Sequence, residues 1–424
     1  MSHAHEPFLA AADTIGAQLC RDALWAGRRC NWLGASMEVI DGAWKTAQRT
    51  FGPELYSGTS GIALFLGRLY QRVPERIYRQ TALGAIRHAL SRLEDLPRTT
   101  LASFYSGTVG IAYVCHTLAS LLDEPQLARQ ATELLRQLPS GDLADHSIDV
   151  LTGYAGAIPA LLDLGRKGSR QQLVERALEY GQHLLASARR SAHGWSWDTM
   201  RAPGQQHDLL GFSHGAAGIA WSLLELYHVT GDERFRHGAE QALAYERHWF
   251  SPQQGNWPDL RSFQESTGDA SQPGFMVAWC HGASGIGLAR LRAYQILGDA
   301  ACREEAIIAV QTTARMLEQA MASDGASFCL CHGLAGNADL LLYASQVLAD
   351  SGPAALAEQV GLHGIECYQA SRTAWPCGVI GAGETPGLFL GLAGIGYFYL
   401  RLAEPARVPP ITILLPDHSP DAAT

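Results

Sequence analysis

Two stretches, AWCHGASGIGLARL (residues 278–291) and CHGLAGNADLLL (residues 331–342), align with one another at glycine pairs spaced three apart, Gly282/Gly285 and Gly333/Gly336. The same short signature returns elsewhere in the chain. It reads SGTSGIALFL from Ser57, SGTVGIAYV from Ser106, TGYAGAIPALL from Thr152, HGAAGIAWSLL from His214 and LGLAGIGYFYL from Leu390. Successive copies lie roughly 46 to 67 residues apart, the length of a helical hairpin with variable loops.

Outward from each signature the pattern is consistent. The residues that follow it are apolar nearly all round, as a buried helix requires. Segments between copies, such as RIYRQTALGAIRHALSRLED from Arg76 and RQQLVERALEYGQHLLASARR from Arg170, carry apolar residues at helical spacing with charges opposite. They read as outer, half-exposed helices. The unit is an outer helix, a Gly-containing loop and an inner helix, seven times over. Stacking such units buries a shared core, and closing the array removes its open ends. The expectation is an all-α chain folded as an α/α toroid, a seven-fold double-layered helical barrel. It forms a single domain over 1–424, with signatures from about 55 to 400. No strict two-residue alternation is long enough for a large sheet. The glycines permit positive φ at a tight turn and close backbone approach. In the first two copies and the last they read as hairpin turns alone.

The whole chain is compatible with this. Its 424 residues are 47% hydrophobic and 17% charged, with a net charge of −9. Such a chain can bury a large core. No run of about 18 apolar residues suggests a membrane span, and MSHAHEPFLAAADTIG lacks the pattern of a secretory signal. The absence of Lys/Arg blocks argues against nucleic acid. Nine cysteines, an odd number, point to reduced thiols in a cytoplasmic setting.

Three consecutive copies differ from the rest. They read Gly211-Phe-Ser-His214-Gly, Ala278-Trp-Cys280-His281-Gly and Cys329-Leu-Cys331-His332-Gly. If the junctions converge on the axis, Cys280, Cys331 and His332 form a Cys2His set, which suits zinc and leaves a fourth position open. Cys329 is a rival for Cys331, which alone sits directly before the His-Gly pair, as Cys280 does. His281 is a further candidate, as an added ligand or a group contacting substrate. Two protein thiolates leave zinc neutral, so a third thiolate bound there stays nucleophilic. That suits thiol alkylation better than hydrolysis. The third copy, Asp149-Val-Leu-Thr-Gly, adds a carboxylate, and the fourth adds His214. Addition of a thiolate to a dehydroamino acid gives an enolate that needs a proton, and histidine titrates in the right range. A helix N-cap for Asp149 and a loop hydrogen bond for His214 are the structural alternatives.

These residues resemble the LanC family of lanthipeptide cyclases, most closely the cyclase domain of the bifunctional class II (LanM) synthetases. The resemblance covers WLGAS from Trp32, LYSGTSGIALFL from Leu55, DVLTGYAGAIPALL from Asp149, GFSHGAAGIA from Gly211 and GNWPDLR from Gly255. It continues through the WCHG and CHG pair to VPPITILLPD near the end. It implies a central zinc held by Cys280, Cys331 and His332, with His214 and Asp149 as the acid/base pair. The implied activity joins peptide Cys thiols to dehydroalanine or dehydrobutyrine. The implied partners are a dehydrated precursor peptide and a separate dehydratase. Two positions depart from the best-known free-standing cyclases: His281 stands where they have Tyr, and Met276 where they have Arg. Alternatives are thiol addition of another kind, such as glutathione to dehydrated residues, and a non-catalytic peptide-binding scaffold. A prenyltransferase-like activity would need an Arg/Lys cluster at the repeat junctions, and none is present.

Overall fold

The computed structural model describes residues 5–40, 43–167, 170–201, 205–261, 273–323 and 325–416. Every signature opens a helix whose first residues follow the first glycine of the pair. These are α2 (Thr59–Tyr70), α4 (Thr108–Leu121), α6 (Tyr154–Lys167), α8 (Ala216–Thr230), α10 (Ala283–Leu297), α12 (Leu334–Leu348) and α14 (Leu392–Ala403). Each packs on the next, and α14 packs back on α2, so the inner ring closes. Their all-round apolarity has this cause: Ala283 through Ala293 of α10 are buried without a break.

The outer layer is α1 (Glu6–Arg21), α3 (Arg76–Leu90), α5 (Pro125–Arg136), α7 (Gln171–Ser187), α9 (Glu233–Trp249), α11 (Ala300–Met321) and α13 (Ser351–Gly364). These helices bury one stripe, in α5 Leu127, Ala131, Leu134 and Leu135. Each outer helix from α3 onward packs chiefly on the inner helix that precedes it, and α1 packs on α14. The first and last helices thus complete the seventh pair, and the fold is an α/α toroid.

The glycine signature has a sharper reason than turn formation. A Cβ on the second glycine of any pair would sit 1.7–2.2 Å from the carbonyl oxygen six residues earlier, as Gly110 does against Phe104 and Gly336 against Leu330. The junction folds back on its own helix too closely for any side chain. Positive φ, the other expected reason, applies to Gly282 alone among the pairs (φ 78°).

The junctions converge on the axis. Tyr56, Tyr105, Trp279 and Phe389, from four different repeats, stack there with ring centroids 4.7–6.4 Å apart. The C-terminal segment packs into this centre. Ile411, Thr412, Ile413 and Leu414 are buried, and Trp279 Nε1 donates to the Thr412 carbonyl (2.7 Å) while the Tyr105 hydroxyl donates to that of Ile411 (3.0 Å). This accounts for VPPITILLPD, whose final Asp417 lies outside the described residues.

Among the described residues four small antiparallel pairs decorate the ring, and the sequence pattern did not announce them: β1 (Leu24–Ala26) with β2 (Arg29–Asn31), β3 (Leu33–Ile40) with β4 (Ala43–Thr50), β5 (Arg189–Ser191) with β6 (Gly194–Ser196), and β7 (Pro258–Asp259) with β8 (Gly274–Phe275). No described helix is long and apolar enough to cross a membrane.

Candidate active site

Hydrogen bonds tie neighbouring junctions into a belt. Phe389 N–H donates to Tyr56 O (2.8 Å), Tyr56 N–H to Tyr105 O (2.9 Å), Val150 N–H to Ser213 O (3.1 Å), Ser213 N–H to Cys280 O (3.3 Å) and Cys331 N–H to Phe389 O (3.0 Å). The Ser103 hydroxyl bridges to Leu151 O (2.8 Å). Among the described residues no backbone bond of this kind joins Cys280 to Cys331. There the two thiols face each other closely enough that each shifts the other's ionisation. The chemistry-bearing cysteines occupy the seam of the belt.

This contact separates the two thiols electrically. The Cys331 S–H pulls Cys280 down to about 7 against the burial that opposes it, helped by the charges of His332, Arg261 and His214. Cys331 itself is pushed up by the same contact and by burial. Of the two, Cys280 is the one that ionises more readily. Tyr56 lies beside the pair, and burial together with the nearby cysteines raises its phenol well above the usual value.

His332 stands within electrostatic reach of Cys280, but its stronger link is to Cys329. That link lifts His332 to about 9. Cys329, which burial would raise, is held below its usual value by the same link. The rival cysteine is therefore the one in contact with the imidazole. Among the described residues no three His, Cys, Asp or Glu side chains are arranged to hold a metal ion. By chemistry the donors fit zinc: a thiolate, a second thiol against it and an imidazole within reach.

Asp149 satisfies both readings the sequence left open. Its Oδ1 accepts from Thr152 N–H (2.6 Å) and Oγ1 (2.9 Å), fixing the turn before α6. Its Oδ2 lies 2.6 Å from His214 Nδ1. The aspartate side chain is 2% exposed and the histidine 19%, so the carboxylate is buried behind the more accessible imidazole. Burial would lower the His214 pKa, but the Asp149 charge and hydrogen bond outweigh it and raise it.

His281 packs beside His214, ring centroids 6.1 Å apart. Burial and then Arg261 push it down to about 4, so it is neutral at neutral pH. Arg261 is a residue the sequence reading quoted, in GNWPDLR, without giving it a role. It pairs with Asp259 through Nε (3.0 Å) and Nη2 (2.5 Å), and its Nη2 lies 3.1 Å from the Met276 sulfur. A guanidinium thus stands over the position where a cationic side chain was noted as missing, and its charge reaches Cys280, His281 and His214.

Glu246, on outer helix α9, was missed altogether. Its Oε1 accepts from the N–H groups of Gly211 and Ala217, both at 3.0 Å, bracketing the loop that presents His214. Its Oε2 lies 3.1 Å from Arg290 Nη2 on α10, with both side chains 0% exposed. One buried ion pair therefore fastens the His214 loop to the helix that begins after Cys280.

Residues 50–413 match the family described as lanthionine synthetase C-like protein. The chain is similar to glutathione S-transferase LANCL1 of Danio rerio, with 26% identity over 375 residues, 83% of this chain and 82% of that protein. It is also similar to the lacticin 481/lactococcin biosynthesis protein LcnDR2 of Lactococcus lactis subsp. lactis, with 26% identity over 201 residues, 46% of this chain and 21% of that protein. Among solved structures, nisin cyclase superposes with a TM-score of 0.56 at 19% identity, over 83% of this chain and 88% of that one. The α-mannanase BT2949 of Bacteroides thetaiotaomicron superposes with a TM-score of 0.53 at 11% identity, over 95% and 96%. At these identities the structural likeness is one of fold, which hosts unrelated chemistries.

Proposed function

The chain belongs to the lanthionine synthetase C-like family, and from that premise we propose that it is a zinc-dependent lanthipeptide cyclase acting as a single cyclase domain. Its substrate is a peptide carrying Cys and dehydrated Ser or Thr residues, supplied by a separate dehydratase. The observation that carries this reading is the pairing of two poles at one rim: a thiol pair that favours a thiolate, and a buried carboxylate that charges a histidine beside it.

Cys280, Cys331 and His332 would hold the zinc, which when bound supplies a site where a peptide thiol ionises yet stays nucleophilic. The remaining steps belong to this chain's residues. The peptide sulfur bonds to the β-carbon of the dehydro residue, and the double-bond electrons move onto the carbonyl as an enolate. His214 is fixed by Asp149 through Nδ1, which leaves Nε2 to carry a proton. It takes the thiol proton or delivers one to the α-carbon. Arg261, whose charge reaches Cys280 and His214, would supply the positive charge that stabilises the enolate oxygen. The neutral ring of His281 lines the same opening and contacts substrate without adding charge. No atom is gained or lost, so each ring is an isomerisation of the peptide.

The length shared with the LANCL1 glutathione S-transferase favours one second reading, intermolecular addition of glutathione to the same dehydro residues. Offering a dehydrated Cys-containing peptide together with glutathione separates the two. Ring closure consumes the peptide thiol at unchanged mass, whereas glutathione addition raises the mass by one glutathione per event.

A further inference from the structure

The residue after the second glycine of the signature is apolar and buried in six of the seven copies: Ile62, Ile111, Ala157, Ile219, Ile286 and Ile395. In the sixth copy it is Asn337, which is only 1% exposed. An apolar side chain at this position fills the core between inner helices. A buried amide there forgoes that packing and needs hydrogen bonds to offset the loss of water. Asn337 finds them only in part. Its Nδ2 donates to the Val277 carbonyl (3.0 Å), while its Oδ1 has no partner among the described residues. A residue that breaks the rule of its own repeat, and stays half-satisfied, marks a place where function sets the choice.

What the amide reaches is the turn that carries Cys280. Val277 stands three residues before that cysteine, on a turn unlike the other six. It bridges to Gly282, whose φ of 78° is the only positive one among the glycine pairs. A Cβ on Gly282 would meet the Met276 oxygen at 1.8 Å. Asn256, also buried, donates from Nδ2 to that same oxygen (3.0 Å). Two buried amides therefore grip consecutive carbonyls of this turn. Asn256 comes from the segment before it, and Asn337 from the first turn of α12, which begins just after Cys331 and His332.

The second grip falls at the seam of the belt. Among the described residues the junctions of Cys280 and Cys331 share no backbone hydrogen bond. Their relative position is left to side chains, and the bond from Asn337 to Val277 crosses that gap.

We propose that Asn337 is a positioning residue: its amide stands in for the missing belt bond and holds the Cys280 turn in register with Cys331 and His332. The proposal rests on the zinc reading above and names what sets the spacing of the ligands. The test uses the full chain, zinc-loaded and metal-stripped. Asn337→Ile installs the residue found in five other copies, and Asn337→Ala removes the amide without overfilling the position. Ile62→Val, at the same position of the first copy, loses packing alone and is the control. Release of zinc to an excess of a colorimetric chelator is expected to be about 10–100-fold faster in both Asn337 variants, the scale on which outer partners act on metal affinity. It should be unchanged in Ile62→Val. In metal-stripped protein, hydrogen–deuterium exchange should rise over residues 276–282 in both Asn337 variants and not around the rest of the ring. Zinc released at the parent rate, exchange unchanged at that turn or raised throughout the chain, or faster release in Ile62→Val overturns the proposal. A local rise in exchange at 276–282, with a parent chain that takes up no zinc, upholds the hold on the turn and refutes the metal reading instead.

Discussion

His214 Nδ1 lies 2.6 Å from Asp149 Oδ2, although the two residues stand 65 positions apart and precede different inner helices. The toroid produces this contact by bringing adjacent junctions to one rim. The same carboxylate holds its own turn through Oδ1, so the two oxygens divide a structural task from an electrostatic one.

That division can be tested by substitution. Asp149→Asn keeps an oxygen for Thr152 and removes the charge behind His214, and His214→Asn removes the proposed proton carrier. Acid–base groups contribute about 10²–10⁴-fold in rate. Both variants are expected to lose cyclisation on that scale, the histidine variant more, while remaining folded and with metal content close to the parent. If His214→Asn stayed folded and cyclised at the parent rate, the proton-transfer role would be wrong.

A pH dependence follows from the raised His214 pKa, whose sign is set by Asp149 against burial. A group raised in the folded state stabilises it while protonated. The contribution is complete below the unfolded value near 6.5 and is lost as pH rises through the folded value. The stability advantage of the parent chain over Asp149→Asn is therefore expected to be largest near the acid end of a scan from about pH 6 to about pH 9 and to shrink toward alkali. The alkaline limb of cyclisation should move to lower pH in the variant. An advantage that grows with pH would reverse the assignment.

Metal content discriminates between the cysteines. Zinc is expected at one per chain, lost in Cys280→Ala, Cys331→Ala and His332→Ala, and retained in Cys329→Ala. Because the stronger link of His332 is to Cys329, retention in Cys331→Ala with loss in Cys329→Ala would exchange the two ligands.

Glu246 is expected to matter at a distance. Breaking a buried ion pair by removing one partner costs about 3–5 kcal/mol, and Glu246→Ala also strands the Gly211 and Ala217 N–H groups. Denaturant unfolding should show a loss on that scale. Glu246→Gln, which keeps an acceptor for both N–H groups, should lose less and retain part of its activity. A melting temperature unchanged in Glu246→Ala would remove the ion pair from the account.

Much of this was legible in the sequence because the repeat multiplies its signal. One Gly pair is weak, but seven copies mark seven inner helices, and a Cys or His beside the pair is automatically at the rim. What was not legible depends on contacts between layers. Glu246 sits in AEQALAYERHW, where a lone Glu reads as a solvated charge, and only the packing of α9 on α8 reveals its partners. The packing of α1 on α14 joins opposite ends of the chain, which no local pattern records. Among its described residues the β3–β4 hairpin shows no alternation of burial: Gly34 and Ala35 are buried in succession, and Lys45 to Thr50 are mostly exposed. Arg261 was hidden because its charge comes to the thiol pair from the segment just after β7 and not from the signature itself.

The measurement closest to the central claim is a time course of the peptide thiol, by alkylation and mass spectrometry, with a dehydrated Cys-containing peptide and zinc-loaded protein in the absence of glutathione. The account predicts that the alkylatable thiol disappears at unchanged peptide mass, and does so far more slowly with His214→Asn. A thiol that persists with the parent chain at its uncatalysed rate would contradict it.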